Sequence, residues 1–169
     1  MHLCAFYEII FDRPFRKKWY DDYLGLIYIT YLAQVLGINV GGGFFLGDTG
    51  RLHSRDSFDM ICNEIGNKRK TAPSIPRMDA MFMFSKLFYE KMKIINHIKN
   101  EAPSDILEVK WLGLICHIYY YATIDYNPVI KANRSKIHNK IDEVFPNQFN
   151  ETYFDEAFNI CIDLDTLWS

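Results

Sequence analysis

Residues 19–38 read WYDDYLGLIYITYLAQVLGI, and the way this stretch folds decides the class of the whole chain. Leu24, Ile27, Tyr28, Tyr31, Leu32, Val35 and Leu36 recur at helical spacing, and Leu26 and Ile29 fill much of the opposite side. This pattern predicts a helix buried nearly all round. No charged residue occurs from Tyr23 to Gly47, a length that could also cross a bilayer. Gln34, Asn39 and the run Gly41-Gly42-Gly43 interrupt it, and the glycines would break a helix within the membrane. The expectation is a buried central helix followed by a loop, with no membrane association.

Upstream, a short segment from His2 to Phe11 is readable as strand or helix and is closed by Pro14. Downstream, Asn39 to His53 reads as a glycine-rich loop or hairpin. Ser54 or Asp56 caps a predicted helix to about Ile65, which Gly66 ends, and residues 67–76 form a basic, proline-containing connection. Asp79 offers the cap of a long amphipathic helix marked by Phe82, Leu87, Phe88, Met92, Ile95 and Ile98. Ser104 or Asp105 starts another, carrying Ile106, Val109, Leu112, Ile115, Ile118 and Tyr119 and fading near Asp125. Pro128 suits the first turn of a helix to Val144, and a last helix runs from about Glu151 to Cys161. Ile160 to Leu164 alternates apolar and polar residues and predicts a short strand, with residues 3–11 as its natural partner. The fold expected is mainly α: one domain over residues 1–169, a bundle of about five to seven helices with a small two-stranded element from the two termini.

A chain of 169 residues with 24% charged positions suits one globular domain. Thirteen Phe, eleven Tyr and three Trp supply large burial energies and candidate interface anchors. Cys4, Cys62, Cys116 and Cys161 are too widely spaced for a compact disulfide framework, so free thiols in a reducing, cytoplasmic setting are expected. Glu8, Asp12 and Arg13 break up any secretory signal at the start. The abundance of Phe, Tyr, Ile, Asn and Lys, whose codons are A/T-rich, predicts an A/T-rich source such as a virus, phage or low-GC bacterium.

Charge is segregated. All 19 Lys and Arg precede residue 141, beside 14 of the 21 acidic residues, which makes that part +5. Residues 141–169 hold the other seven acids and no base, which makes them −7. One expectation is that the acidic end packs near basic segments and both faces are solvated. The other is a docking surface for a basic protein partner, built from Asp155, Glu156, Asp163 and Asp165 with Trp168 as an apolar anchor. The basic residues gather in three clusters: Arg13, Arg16, Lys17 and Lys18; Lys68, Arg69 and Lys70; and Lys131, Arg134, Lys136 and Lys140. If they converged they could bind RNA or DNA phosphates, although a total charge of −2 opposes a dedicated nucleic-acid binder.

Motifs for catalysis are sparse. Gly42 and Gly47 have phosphate-loop spacing, but Asp48 stands where the lysine belongs. A dinucleotide fingerprint fails for want of a third glycine. Asp48-Thr49-Gly50 resembles the active-site tripeptide of aspartic proteases, which implies a second carboxylate supplied by a homodimer. Here Arg51 follows where a small residue is usual, and a turn set by Asp48 and Gly50 is the simpler expectation. Arg134 and His138 resemble the Arg–His pair of HEPN-type ribonucleases, with three residues between them instead of four to six. His2, His53, His97, His117 and His138 show no metal-ligand spacing. The sequence therefore predicts no catalytic residue, metal or cofactor, and a non-enzymatic protein-binding module of the regulator, inhibitor or immunity type. Nucleic-acid binding is the first alternative, and a hydrolase using Asp48 or the histidines is the second.

Overall fold

Two helices without an exposed face organise the protein. A computed structural model describes residues 3–16, 19–38, 43–54, 86–126 and 128–167. Among these, α2 (Tyr20–Val35) buries every side chain from Leu24 to Ala33, and α4 (Glu108–Asp125) buries every residue from Trp111 to Ile118. The two pack against each other. Their contact is close because Gly113 has no Cβ: a methyl there would lie 2.9 Å from the Tyr28 ring. Further helices α1 (Leu3–Phe11), α3 (Lys86–Asn100), α5 (Arg134–Val144) and α6 (Glu151–Thr166) surround this pair. α4 packs on α3, α5 and α6, while α1 packs on α2 and α3.

The ends of α2 follow from its sequence. Gly37, at φ +76°, lets Ile38 N–H reach the Ala33 carbonyl and Gly37 N–H the Gln34 carbonyl, both at 2.9 Å. This is the Schellman closure that a glycine just past the last turn permits. At the other end, Asp22 is fully buried yet fully partnered. Its carboxylate accepts from the Tyr7 hydroxyl (2.7 Å), from the backbone N–H of Arg16 (3.0 Å) and from two guanidinium nitrogens of Arg16 (2.9 and 3.1 Å), and Arg13 lies 3.3 Å away. Burial alone would raise this carboxyl. The hydrogen bonds from Arg16 and Tyr7 and the charge of Arg13 outweigh it and hold the group below the usual carboxylate range. Lys99, only 6% exposed, ties the far end of α1: its ammonium donates to the Ile10 carbonyl at 2.7 Å, one of the last-turn carbonyls without a helical partner.

The small sheet lies between α2 and α3 in sequence, not between the termini. β1 (Phe44–Leu46) pairs antiparallel with β2 (Leu52–Ser54), Phe45 opposite His53. The expected terminal strands are both helical. Leu3, Phe6, Tyr7 and Ile10 are buried at helical spacing, and so are Phe154, Ala157, Phe158, Cys161 and Leu164. The five-residue alternation at 160–164 was too short a window to outweigh that longer period. α4 begins at Glu108, not at Ser104 or Asp105, and the Asp105 carboxylate instead accepts the single Tyr153 O–H, shared between its two oxygens at 2.9 and 2.8 Å. Nor does Pro128 open α5. Val129–Lys131 make a single 3-10 turn, the chain extends at Ala132, and the Asn133 side chain caps the new helix through Lys136 N–H at 3.0 Å. Ser54, offered as one cap of the next helix, ends β2; the alternative cap Asp56, the predicted helix to Ile65, the connection at 67–76 and the Asp79 cap lie outside the described residues.

Candidate functional site

Among the described residues of the basic clusters, Arg16, Arg134, Lys136 and Lys140 meet carboxylates. Arg16 is committed to Asp22 and stacks on Trp19 at 3.7 Å from the ring centroid. Arg134 pairs with Asp155 at 2.7 Å and also reaches that residue's carbonyl. Lys136 and Lys140 share Asp125 at 3.4 and 3.0 Å, and Lys140, first, and Lys136 hold its carboxyl below the usual range. The structure therefore brings Arg16 and the Arg134–Lys136 group to carboxylates. Lys17, Lys18, Lys68, Arg69 and Lys70 lie outside the described residues.

The acidic candidates on α6 divide into two kinds. Asp155 is held by Arg134, and Asp165 accepts the backbone N–H of Val129 at 2.9 Å. Glu156 and Asp163, two turns apart on the exposed side with Thr152, Asn159 and Thr166, form no ion pair among the described residues. The Val129–Asp165 bond brings the 3-10 turn to the C-terminal end of α6, where Ile130 and Leu167 are 66% and 57% exposed. Trp168 lies outside the described residues.

The tripeptide Asp48-Thr49-Gly50 is the loop of the β1–β2 hairpin. Gly50 N–H bonds to the Gly47 carbonyl (2.8 Å), Gly47 N–H to the Arg51 carbonyl (2.9 Å), and Gly50 has φ +72°. That is a type I turn closed by a left-handed glycine, a geometry that needs Gly at the third position. The flanking strands are three residues each and make a hairpin, not a protease sheet.

His117 on α4 anchors this hairpin. It is fully buried, with Tyr28 and Phe145 edge-on to its ring at 5.8 and 4.9 Å. The Leu52 backbone N–H donates to Nε2 at 2.9 Å, so the ring proton belongs on Nδ1, which donates to the Gly113 carbonyl at 2.6 Å. Burial, and then the nearby charges of Arg51 and His53, push its pKa down to about 4, against the opposing Gly113 bond. The other described histidines are elsewhere. His97 pairs with Glu101 at 3.2 Å and His138 with Asp142 at 3.3 Å, while His53 sits on β2 beside Phe45. Arg134 and His138 share a pocket of about 270 Å³ with Ser135, Asn139, Glu151 and Asp155.

A larger cleft, about 820 Å³, opens between the hairpin turn and the helix ends around it. Its walls are Tyr20 at the start of α2, residues 46–51, Tyr121 of α4, and Glu143 and Val144 at the end of α5. Only its turn was legible in sequence; the rest comes from three separate segments with no shared pattern. Cys116 and Cys161 are buried thiols whose acidity burial suppresses. No three His, Cys, Asp or Glu among the described residues lie together as a metal site requires, and no described helix is long and apolar enough to cross a membrane.

The described residues define a mainly helical protein with one small antiparallel hairpin among them. Comparison with protein-family models, with curated proteins and with solved structures returns no match.

Proposed function

We propose that the protein is a non-enzymatic binding module that docks a basic protein partner on the outer face of α6. One observation carries this reading: the basic groups Arg16, Arg134, Lys136 and Lys140 have carboxylate partners within the fold, whereas Glu156 and Asp163 form no ion pair among the described residues. Both are exposed on α6; the exposed Leu167 lies one turn past Asp163, and the exposed Ile130 sits on the 3-10 turn held to the C-terminal end of the same helix. An acidic ridge beside apolar anchors steers a basic partner and then holds it by desolvated contact. The same pairing disfavours nucleic-acid binding through these four residues, since a lysine or arginine already bonded to a carboxylate has little charge left for phosphate.

Reversing Glu156 and Asp163 to lysine is the test. Both are exposed, so the double variant keeps its melting temperature, within about 0.5 kcal/mol of stability. Quantitative pull-down from the source cells loses the partner with the variant and retains it with wild-type protein. A partner recovered equally by both, or salt-sensitive retention on nucleic acid at physiological ionic strength, would refute the reading.

A further inference from the structure

The hairpin cleft carries its own electrostatic signature. Asp48 lines it from the hairpin turn and Glu143 from the end of α5, and neither forms an ion pair among the described residues. α5 ends at Val144, so the negative end of its dipole also opens there. Arg51 is the opposing charge, but its guanidinium is drawn to the wall, 3.5 Å from the Tyr20 hydroxyl and 5.8 Å from the Phe145 ring. Tyr20 and Tyr121 supply aromatic surface, and the Tyr121 ring already accepts one ammonium, that of Lys140 at 4.9 Å. The Tyr121 hydroxyl is fixed on the Gly50 carbonyl at 3.4 Å, which holds the ring beside the turn. Carboxylates with aromatic walls suit an organic cation and repel phosphate.

We propose that this cleft binds a primary ammonium or guanidinium group on an aliphatic arm, with Asp48 and Glu143 as counter-charges and Tyr20 and Tyr121 as walls. The group can come from a free diamine or from a lysine or arginine side chain of another protein. The site is independent of the α6 surface.

Nuclear magnetic resonance titration of the full chain with diaminobutane, N-acetyl-arginine amide and uncharged butanediol tests it. The charged probes shift the amides of residues 47–51 saturably, and butanediol does not. Asp48→Asn and Glu143→Gln each weaken binding about tenfold, whereas Arg51→Gln tightens it. Glu156→Gln with Asp163→Asn leaves it unchanged. Response to diaminobutane alone assigns a free amine, and response to both charged probes admits a protein side chain. The proposal is overturned if butanediol binds as well, if the α6 variant weakens binding equally, or if Asp48→Asn, with its melting temperature intact, binds like wild type.

Discussion

Trp111→Ala unfolds roughly 10–15 °C below the wild-type protein, a loss of about 3–5 kcal/mol. Trp111 is 1% exposed and is the largest fully buried side chain of the described residues. Its indole N–H donates to the Ile98 carbonyl at 3.1 Å, in the last turn of α3, where no helical N–H is available to all the carbonyls. Removing the indole therefore opens a cavity between α3 and α4 and removes one of the groups that close the end of α3. Trp111→Phe, which keeps most of the volume, separates the two effects and loses only about 1 kcal/mol from the hydrogen bond beyond any repacking. Thermal melts of the three proteins measure this, and a shift below about 3 °C for the alanine variant would remove Trp111 from the core.

The second large effect is a dependence of stability on pH centred on His117. Its folded pKa of about 4 lies below the ordinary histidine value of roughly 6.5, so the unfolded chain takes up the proton first. The contribution is complete above about pH 6.5 and is lost as pH falls towards 4, amounting to about 3 kcal/mol across that window. Protonation puts a hydrogen on Nε2, where the Leu52 N–H already points, so the hairpin loses its anchor on α4. Denaturant unfolding of wild type and His117→Gln, compared between pH 7 and pH 4.5, isolates the effect because Asp22 and the other carboxylates titrate in both. The wild-type protein loses stability more steeply with acid than the variant does. Parallel pH profiles would contradict this assignment.

The two central helices were legible because they are apolar on every side, so their period needs no knowledge of what surrounds them. The element ends were harder. Pro128 reads as a helix start in sequence, but the chain extends again at Ala132 before Asn133 caps α5, and the Val129 N–H bonds to Asp165, 36 residues away, a partner no local window shows. The candidate surface was legible as a count of charges but not as a pattern of pairing. Arg134 meets Asp155 across 21 residues, and that contact, not the local composition, leaves Glu156 exposed while neutralising its neighbour. The cleft shows the same limit, since Tyr20, Asp48, Tyr121 and Glu143 become neighbours only when α2, the hairpin, α4 and α5 are assembled.

The carboxylate of Asp22 and the ammonium of Lys99 grip α1 and residues 12–16 from both flanks: Tyr7, Arg13 and Arg16 on one side, the Ile10 carbonyl on the other. These contacts hold the second half of the helix. Its hydrogen-bonded amides, Tyr7 to Phe11, open together as one cooperative unit, and hydrogen exchange records a common opening free energy along them. Asp22→Asn, which keeps the shape of the side chain but removes its charge, lowers protection from Tyr7 to Phe11 at once. The interior amides of α4, enclosed by α2, α3, α5 and α6, exchange only when the entire chain unfolds, and a graded loss of protection from one end of that stretch of α1 would show that the grip is not shared.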